Sequence, residues 1–206
     1  MLYVGLTGNI ASGKSEAASR FEALGATILD ADVLAREAVA VGSPGYRRVV
    51  ERWGKDFLTP DGALDREALR HTVFADKDQL DELNEIIHPS VNTLRKKIVA
   101  DTRKRGDAVL IYVVPLLFER HLVAEFDKIV LVDAPKELRF KRLVKLRGVS
   151  EEDAGNMIAA QMNAELKRAG SDYVIENDGS LKKLQLQVDK VWEELTGLDA
   201  RSSLAD

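Results

Sequence analysis

Gly8-Asn9-Ile10-Ala11-Ser12-Gly13-Lys14-Ser15 sets two glycines around a short loop and follows the second with Lys-Ser. Residue types at this spacing can hold phosphate. The glycines permit a tight turn whose amides point inward at phosphate oxygens. A helix beginning near Lys14 directs its positive end at the same anion. Lys14 can reach the β- and γ-phosphates of ATP, and the Ser15 hydroxyl can ligate Mg²⁺. The candidate nucleotide contacts are therefore Asn9, Ile10, Ala11, Ser12, Gly13, Lys14, Ser15 and Glu16. An ordinary Gly/Ser turn is the alternative, and the context disfavours it, because the loop joins a predicted strand to a predicted helix.

Carboxylates gather at Asp30-Ala31-Asp32. They follow a predicted strand, and the carboxyl ends of parallel strands line the ligand crevice of an α/β sheet. Phosphoryl transfer to a hydroxyl needs a carboxylate that accepts its proton and often another that holds metal-bound water. Asp30 and Asp32 are the candidates for these roles. Extended backbone would place both on one side, and Arg36, four residues on, would share a helix face with Asp32. The competing explanation is a helix cap with a surface ion pair. A basic run, Arg139, Lys141, Arg142, Lys145 and Arg147, stands out in an otherwise acidic chain. A solvated helix face would explain it. A lid whose Arg142 or Arg147 neutralises charge on the transferring phosphoryl group also would.

These residues need a scaffold. Leu2–Thr7, Ala26–Asp30, Ala108–Val114, Lys128–Asp133 and Tyr173–Ile175 read as strands. Helical spacing follows at 14–24, at about 136–147, at about 151–168 and along Leu181, Leu184, Val188, Val191 and Leu195. Alternating strands and helices predict a parallel sheet covered on both faces. Residues 32–105 are mostly helical and too long for one crossover. They read as an insertion beside the core, broken or kinked at Pro89 and ended by Gly106.

The bulk numbers narrow the function. The 206 residues are 45% hydrophobic and 31% charged with net charge −4, so no overall positive field draws the chain to nucleic acid or to a membrane. The absence of cysteine excludes disulfides and thiolate chemistry. No signal peptide or apolar run of membrane-spanning length is visible, and a cytoplasmic location is expected. Protein partners are not legible. A switch GTPase should show D-x-x-G and N-K-x-D, and neither appears convincingly. The strongest internal strand ends in Val114-Pro115 rather than in the carboxylate usual in motor ATPases.

Together the motifs resemble the dephospho-CoA kinase family. The match extends over about residues 2–195. It rests on the phosphate loop, Asp30-Ala-Asp32-Val-Leu-Ala-Arg36, Asp61-Gly-Ala-Leu-Asp65-Arg66, Leu83-Asn84-Glu-Ile-Ile-His88-Pro89, Val114-Pro115-Leu-Leu117-Phe-Glu119, Arg142-Leu143, Gln161, Lys167 and Asp172–Asn177. The resemblance implies a three-layer fold of the P-loop kinases around a central parallel five-stranded sheet. It implies a core (about 1–31, 106–138 and 170–198), a helical acceptor-binding region (about 32–105) and a lid (about 139–169), all within one domain. It implies that ATP phosphorylates the ribose 3′-hydroxyl of dephospho-CoA. Asp32 would match the general base, Arg142 the lid arginine, and Asn177 a position near the nucleotide base. Arg36, His88 and Leu117 would hold the acceptor. The chain departs from the family pattern at Asn9 and Ala11, where glycines are frequent. Asn9 tolerates left-handed geometry, and Ala11 calls for a negative φ. Leu146 and Met157 stand where arginines are common, which leaves the identity of the second lid cation open, with Arg147 a candidate.

Overall fold

The computed structural model describes residues 1–74 and 76–202. Two compact units divide it, one of Met1–Leu29 with the chain from Thr102 onward, the other of Asp30–Asp101. The helical region thus begins two residues before the expected 32 and ends at 101.

The first unit is built on strands β1 (Leu2–Thr7), β2 (Thr27–Asp30, whose last residue opens the second unit), β3 (Val109–Val113), β4 (Lys128–Asp133) and β5 (Tyr173–Glu176). Their order is β2-β3-β1-β4-β5. β1 pairs in parallel with β3, Leu2 opposite Val109, and with β4, Val4 opposite Lys128, while β4 pairs in parallel with β5. All of β3 is buried, as an apolar strand covered on both faces should be. One face packs on helices α1 (Lys14–Ala23) and α9 (Leu181–Ser202), through Ala17, Ala18 and Phe21 and through Leu184, Val188, Val191 and Leu195. Trp192 borders this cluster. Arg20 joins the two helices by a two-pronged bond to Asp189, but both side chains are about one-third exposed (33% and 31%), so the solvent-screened pair adds little to the apolar packing. Elsewhere Tyr3, Tyr112 and Phe126 cluster, the Tyr3 ring stacked on Tyr112 at 6.5 Å and tilted against Phe126 at 4.9 Å between centroids.

The lid region is α6 (Lys136–Arg147), α7 (Glu151–Ala159) and α8 (Ala164–Ala169). The sequence predicts one helix over 151–168. The chain breaks it after Ala159 and restarts at Asn163, whose side chain caps α8 by accepting from the Glu165 amide at 2.9 Å. Leu143, Ala154 and Ile158 form a small core of their own with Ala11.

The second unit contains α2 (Ala31–Glu37), α3 (Pro44–Trp53), α4 (Arg66–Phe74) and most of α5 (Lys77–Arg105). Val39, Val49, Leu64, Leu69, Val73 and Ile86 make its core, bordered by Trp53 and Phe57. Pro89 does not break α5. A proline removes the amide that would bond Glu85, four residues back. Glu85, His88 and Pro89 are exposed, so water can satisfy that carbonyl.

Gly5 lies where β1 is pressed most closely. A Cβ there would stand 2.7 Å from Leu117 Cδ1 and 3.0 Å from the Phe126 ring. Gly5→Ala is expected to cost about 1–3 kcal/mol through overpacking, read as a lower urea midpoint at unchanged slope.

Candidate active site

The phosphate loop joins β1 to α1, and its glycines are needed for different reasons. At Gly8 a Cβ would sit 2.2 Å from the Val132 carbonyl oxygen. At Gly13, with φ +99°, it would sit 2.1 Å from Asn177 Nδ2. The left-handed position among the loop's other residues is Ala11, at φ +58°, and not Asn9. This corrects the expectation of a negative φ at Ala11. The conformation costs an alanine about 1–2 kcal/mol. Burial of its methyl among Leu143, Ala154 and Ile158 returns about 0.8 kcal/mol, so some strain stays in the loop. No side chain caps α1 at Gly13, and the amide dipoles of its first turn are left for an anion. Lys14 Nζ donates to the carbonyls of Gly8 at 2.8 Å and Asn9 at 3.2 Å, which holds the ammonium beside the loop.

Neighbouring side chains fix the loop from outside. Arg142 Nη1 donates to the carbonyls of Ala11 and Ser12 at 3.1 and 3.4 Å, and its Nη2 to Asn177 Oδ1 at 3.2 Å. Burial lowers the Arg142 value from that of a free guanidinium, yet the group stays charged. Asn177 Nδ2 donates to Ser12 O at 2.7 Å, and its backbone amide donates to Asp133 O at 2.6 Å, so the end of β5 is tied to both β4 and the loop. Gln161, in the linker between α7 and α8, accepts from the Ile10 amide at 2.7 Å. Asn9 Nδ2 meets the next carbonyl, Met162 O, at 3.5 Å. That linker is anchored by Glu119, whose Oε1 accepts from the Met162 amide at 3.2 Å and pairs with Lys167 Nζ at 2.8 Å. The Lys167 side chain is fully buried (0% exposed). Burial pushes the Glu119 carboxyl up, but the Lys167 ammonium and backbone donors outweigh it and hold the carboxyl below its usual range. Sequence reading gave Gln161, Glu119 and Lys167 no site role. Only their places in the family motifs marked them.

Ala11, Gly13, Ser15, Glu16, Arg142, Leu146, Arg147, Asn177, Gly179, Leu181 and Leu184 enclose a cavity of about 310 Å³. Leucines form an apolar wall, and two arginines and an asparagine offer polar groups. A flat aromatic base suits such a lining. Of the predicted nucleotide residues, Gly13, Ala11, Ser15, Glu16, Arg142, Arg147 and Asn177 are brought together here, while Asn9, Ile10 and Ser12 form the loop beside it.

Asp30, Asp32, Arg36 and His88 belong to the second unit. Asp30 is the cap of α2: its Oδ1 accepts from the Asp32 and Val33 amides at 2.7 and 3.2 Å. The expected extended segment with both acids on one side is therefore not formed, because that cap starts the helix at Ala31. Asp32 sits exposed in the first turn, and Arg36 is exposed four residues later. His88 is exposed within α5. Leu117, expected to meet the acceptor, lies in the first unit with its side chain fully buried against Gly5.

The sequence model of the dephospho-CoA kinases matches residues 2–183. This chain belongs to the dephospho-CoA kinase family. It is 47% identical over 195 residues to the dephospho-CoA kinase of Streptomyces avermitilis, covering 95% of this chain and 94% of that one. It is 42% identical to the dephospho-CoA kinase of Thermobifida fusca, covering 95% and 96%. The crystal structure of TT1252 from Thermus thermophilus superposes with a TM-score of 0.77 at 32% identity, covering 94% of this chain and 97% of that one. The family match spans the phosphate loop, the lid segment and all of β5, so the fold and the class of enzyme are established.

Gly13→Ala is expected to abolish measurable ATP binding while the far-ultraviolet circular dichroism is retained, since the clash with Asn177 falls on the loop. Lys167→Met should destabilise the fold by about 3–5 kcal/mol, because it leaves the Glu119 charge unpaired. Glu119 has a lowered folded-state value, so its contribution is complete above the ordinary carboxylate range and disappears as pH falls through the lowered one. The double variant Glu119→Gln/Lys167→Met should therefore lose less stability than the wild type on acidification, read from denaturation midpoints across pH.

Proposed function

We propose that this chain transfers the γ-phosphate of ATP to the ribose 3′-hydroxyl of dephospho-CoA, giving coenzyme A and ADP in the last step of coenzyme A biosynthesis. The observation that carries the donor half is the uncapped N-terminus of α1 behind the glycine loop, with Lys14 and Ser15 at its first turn. Membership of the dephospho-CoA kinase family supports the acceptor half. The proposed setting is the cytoplasm. Among the described residues no helix is long and apolar enough to cross a membrane.

Loop amides bind the triphosphate, and Lys14 offsets β,γ charge. The base enters the cavity walled by Leu146, Leu181 and Leu184, beside Asn177, Glu16 and Arg147. The exposed Ser15 hydroxyl is a hard oxygen donor at the end of the loop and fits Mg²⁺ arriving with ATP. When bound, that ion would neutralise charge on the triphosphate. Asp32 orients the 3′-hydroxyl and takes its proton as the oxygen attacks the γ-phosphorus. The bond to the β,γ-bridging oxygen breaks and ADP leaves. Arg142 braces the loop carbonyls so that the amides keep their aim, and its charge lies beside the transferring group. In this scheme Asp30 would help to hold the ion through water, with the carboxylate oxygen that its capping role leaves free. His88 and Arg36 contact the acceptor.

ADP release and CoA formation by the purified chain should be rapid with dephospho-CoA and slow with adenosine, nucleoside monophosphates or shikimate. Faster release with another acceptor would replace the assignment of substrate, and no release with any of them would remove the kinase reading. Lys14→Ala and Asp32→Ala should each lower kcat by roughly 10²–10⁴ fold. Near-normal turnover in Asp32→Ala would discard it as the base.

A further inference from the structure

The second unit holds two arginines against each other. Arg66, the first residue of α4, donates from Nη2 to the backbone carbonyl of Arg36 in the last turn of α2, at 3.0 Å. That bond draws the Arg66 guanidinium to the residue that carries the other one. Among the described residues neither guanidinium has an ion-pair partner. Acids stand nearby in sequence without neutralising them. Asp65 accepts from the Ala68 amide at 2.9 Å as the cap of α4, and Asp30 caps α2. The Arg66 value is lowered, first by burial and then by the charge of Arg36. Like charges brought together without an acid oppose folding. Such an arrangement is compensated when an anion arrives between the two forks, since guanidinium groups bind phosphate oxygens in pairs.

We propose that Arg36 and Arg66 form an anion subsite that takes the diphosphate bridge of the acceptor. This rests on the reading above that the helical unit holds dephospho-CoA with its 3′-hydroxyl at Asp32. Asp32 and Arg36 are one helical turn apart, about 5–6 Å between Cβ atoms. The 3′-hydroxyl and the 5′-phosphate of a single ribose have a comparable separation. One face of α2 therefore offers a base to the first and a cation to the second, and Arg66 adds the second cation that a diphosphate needs. The subsite selects acceptors by charge, whereas Asp32 acts on the hydroxyl that reacts.

The test is steady-state kinetics of Arg66→Ala, Arg66→Gln and Arg66→Lys with dephospho-CoA and ATP varied in turn. Loss of one charged donor should raise the KM for dephospho-CoA about 10–100 fold. The KM for ATP should stay within about twofold, since Arg66 has no part in the donor site, and Arg66→Lys should recover part of the loss. Added NaCl should raise the KM for dephospho-CoA less steeply in Arg66→Ala than in the wild type, because one screened contact is gone. A general folding defect would move both KM values and the melting temperature together. An unchanged KM for dephospho-CoA, or an unchanged salt dependence, would overturn the subsite. Failure of the underlying reading looks different: the wild type itself would then leave dephospho-CoA unphosphorylated, or Asp32→Ala would turn over normally.

Discussion

Arg142, Asn177 and Lys14 all reach the phosphate loop through its carbonyl oxygens. A loop that receives a triphosphate must keep amides available for it, and the one turn bond described within its backbone, from the Ser12 amide to the Asn9 carbonyl at 3.1 Å, is not enough to hold its shape. Its shape has to come from neighbours that supply donors to its outer edge. Here α6 provides a guanidinium and the end of β5 provides a carboxamide, and Gly13 is bare because that carboxamide occupies the space of a side chain. The order of the sheet follows from the same demand. β1 lies at the centre, flanked by β3 and β4, so the loop leaves from the most enclosed strand and β4 and β5 end beside it.

The linker between α7 and α8 touches the loop in the opposite sense. Gln161 accepts an amide, that of Ile10, and its position is set by a buried ion pair behind it. Lys167 and Glu119 come from segments far apart in sequence, one from α8 and one following β3. Burying that pair is costly unless every remaining hydrogen-bonding site is served, and the Met162 amide serves one. The pair's value lies more in fixing where the linker sits than in net stability. Ala11 points the same way: its left-handed backbone is more strained than its methyl burial repays, and it survives because the lid helices pack on that methyl.

The sheet, α1, α6 and the phosphate loop were legible because each depends on local pattern: continuous β-branched runs, a glycine frame, helical spacing closed by Gly148. The break between α7 and α8 was not, since no glycine or proline marks residues 160–163 and the restart depends on one asparagine cap. Pro89 allows a break or a kink on sequence grounds, and the break does not occur, because an exposed proline can ride within a helix when solvent takes the carbonyl it orphans. The positive φ at Ala11 had no local signature, as it is imposed by packing from α6 and α7. Leu117 lay in a recognisable motif, yet which way a side chain points depends on the glycine opposite, and that pairing is visible only in three dimensions. The same holds for Lys167, whose burial no neighbouring residue announces.

The two tryptophans fall one to each unit. Trp53 sits at the edge of the helical core with its indole nitrogen bonded to Gln79 and the Arg52 guanidinium over its ring. Trp192 borders the sheet-packed face, its ring 6.5 Å from that of Phe21. The indoles have different quenching groups and different polarity around them, so their emission spectra are separable. The chain thus carries a native optical reporter in each unit, and a protein with either indole replaced would let the fluorescence of the two units be followed one at a time.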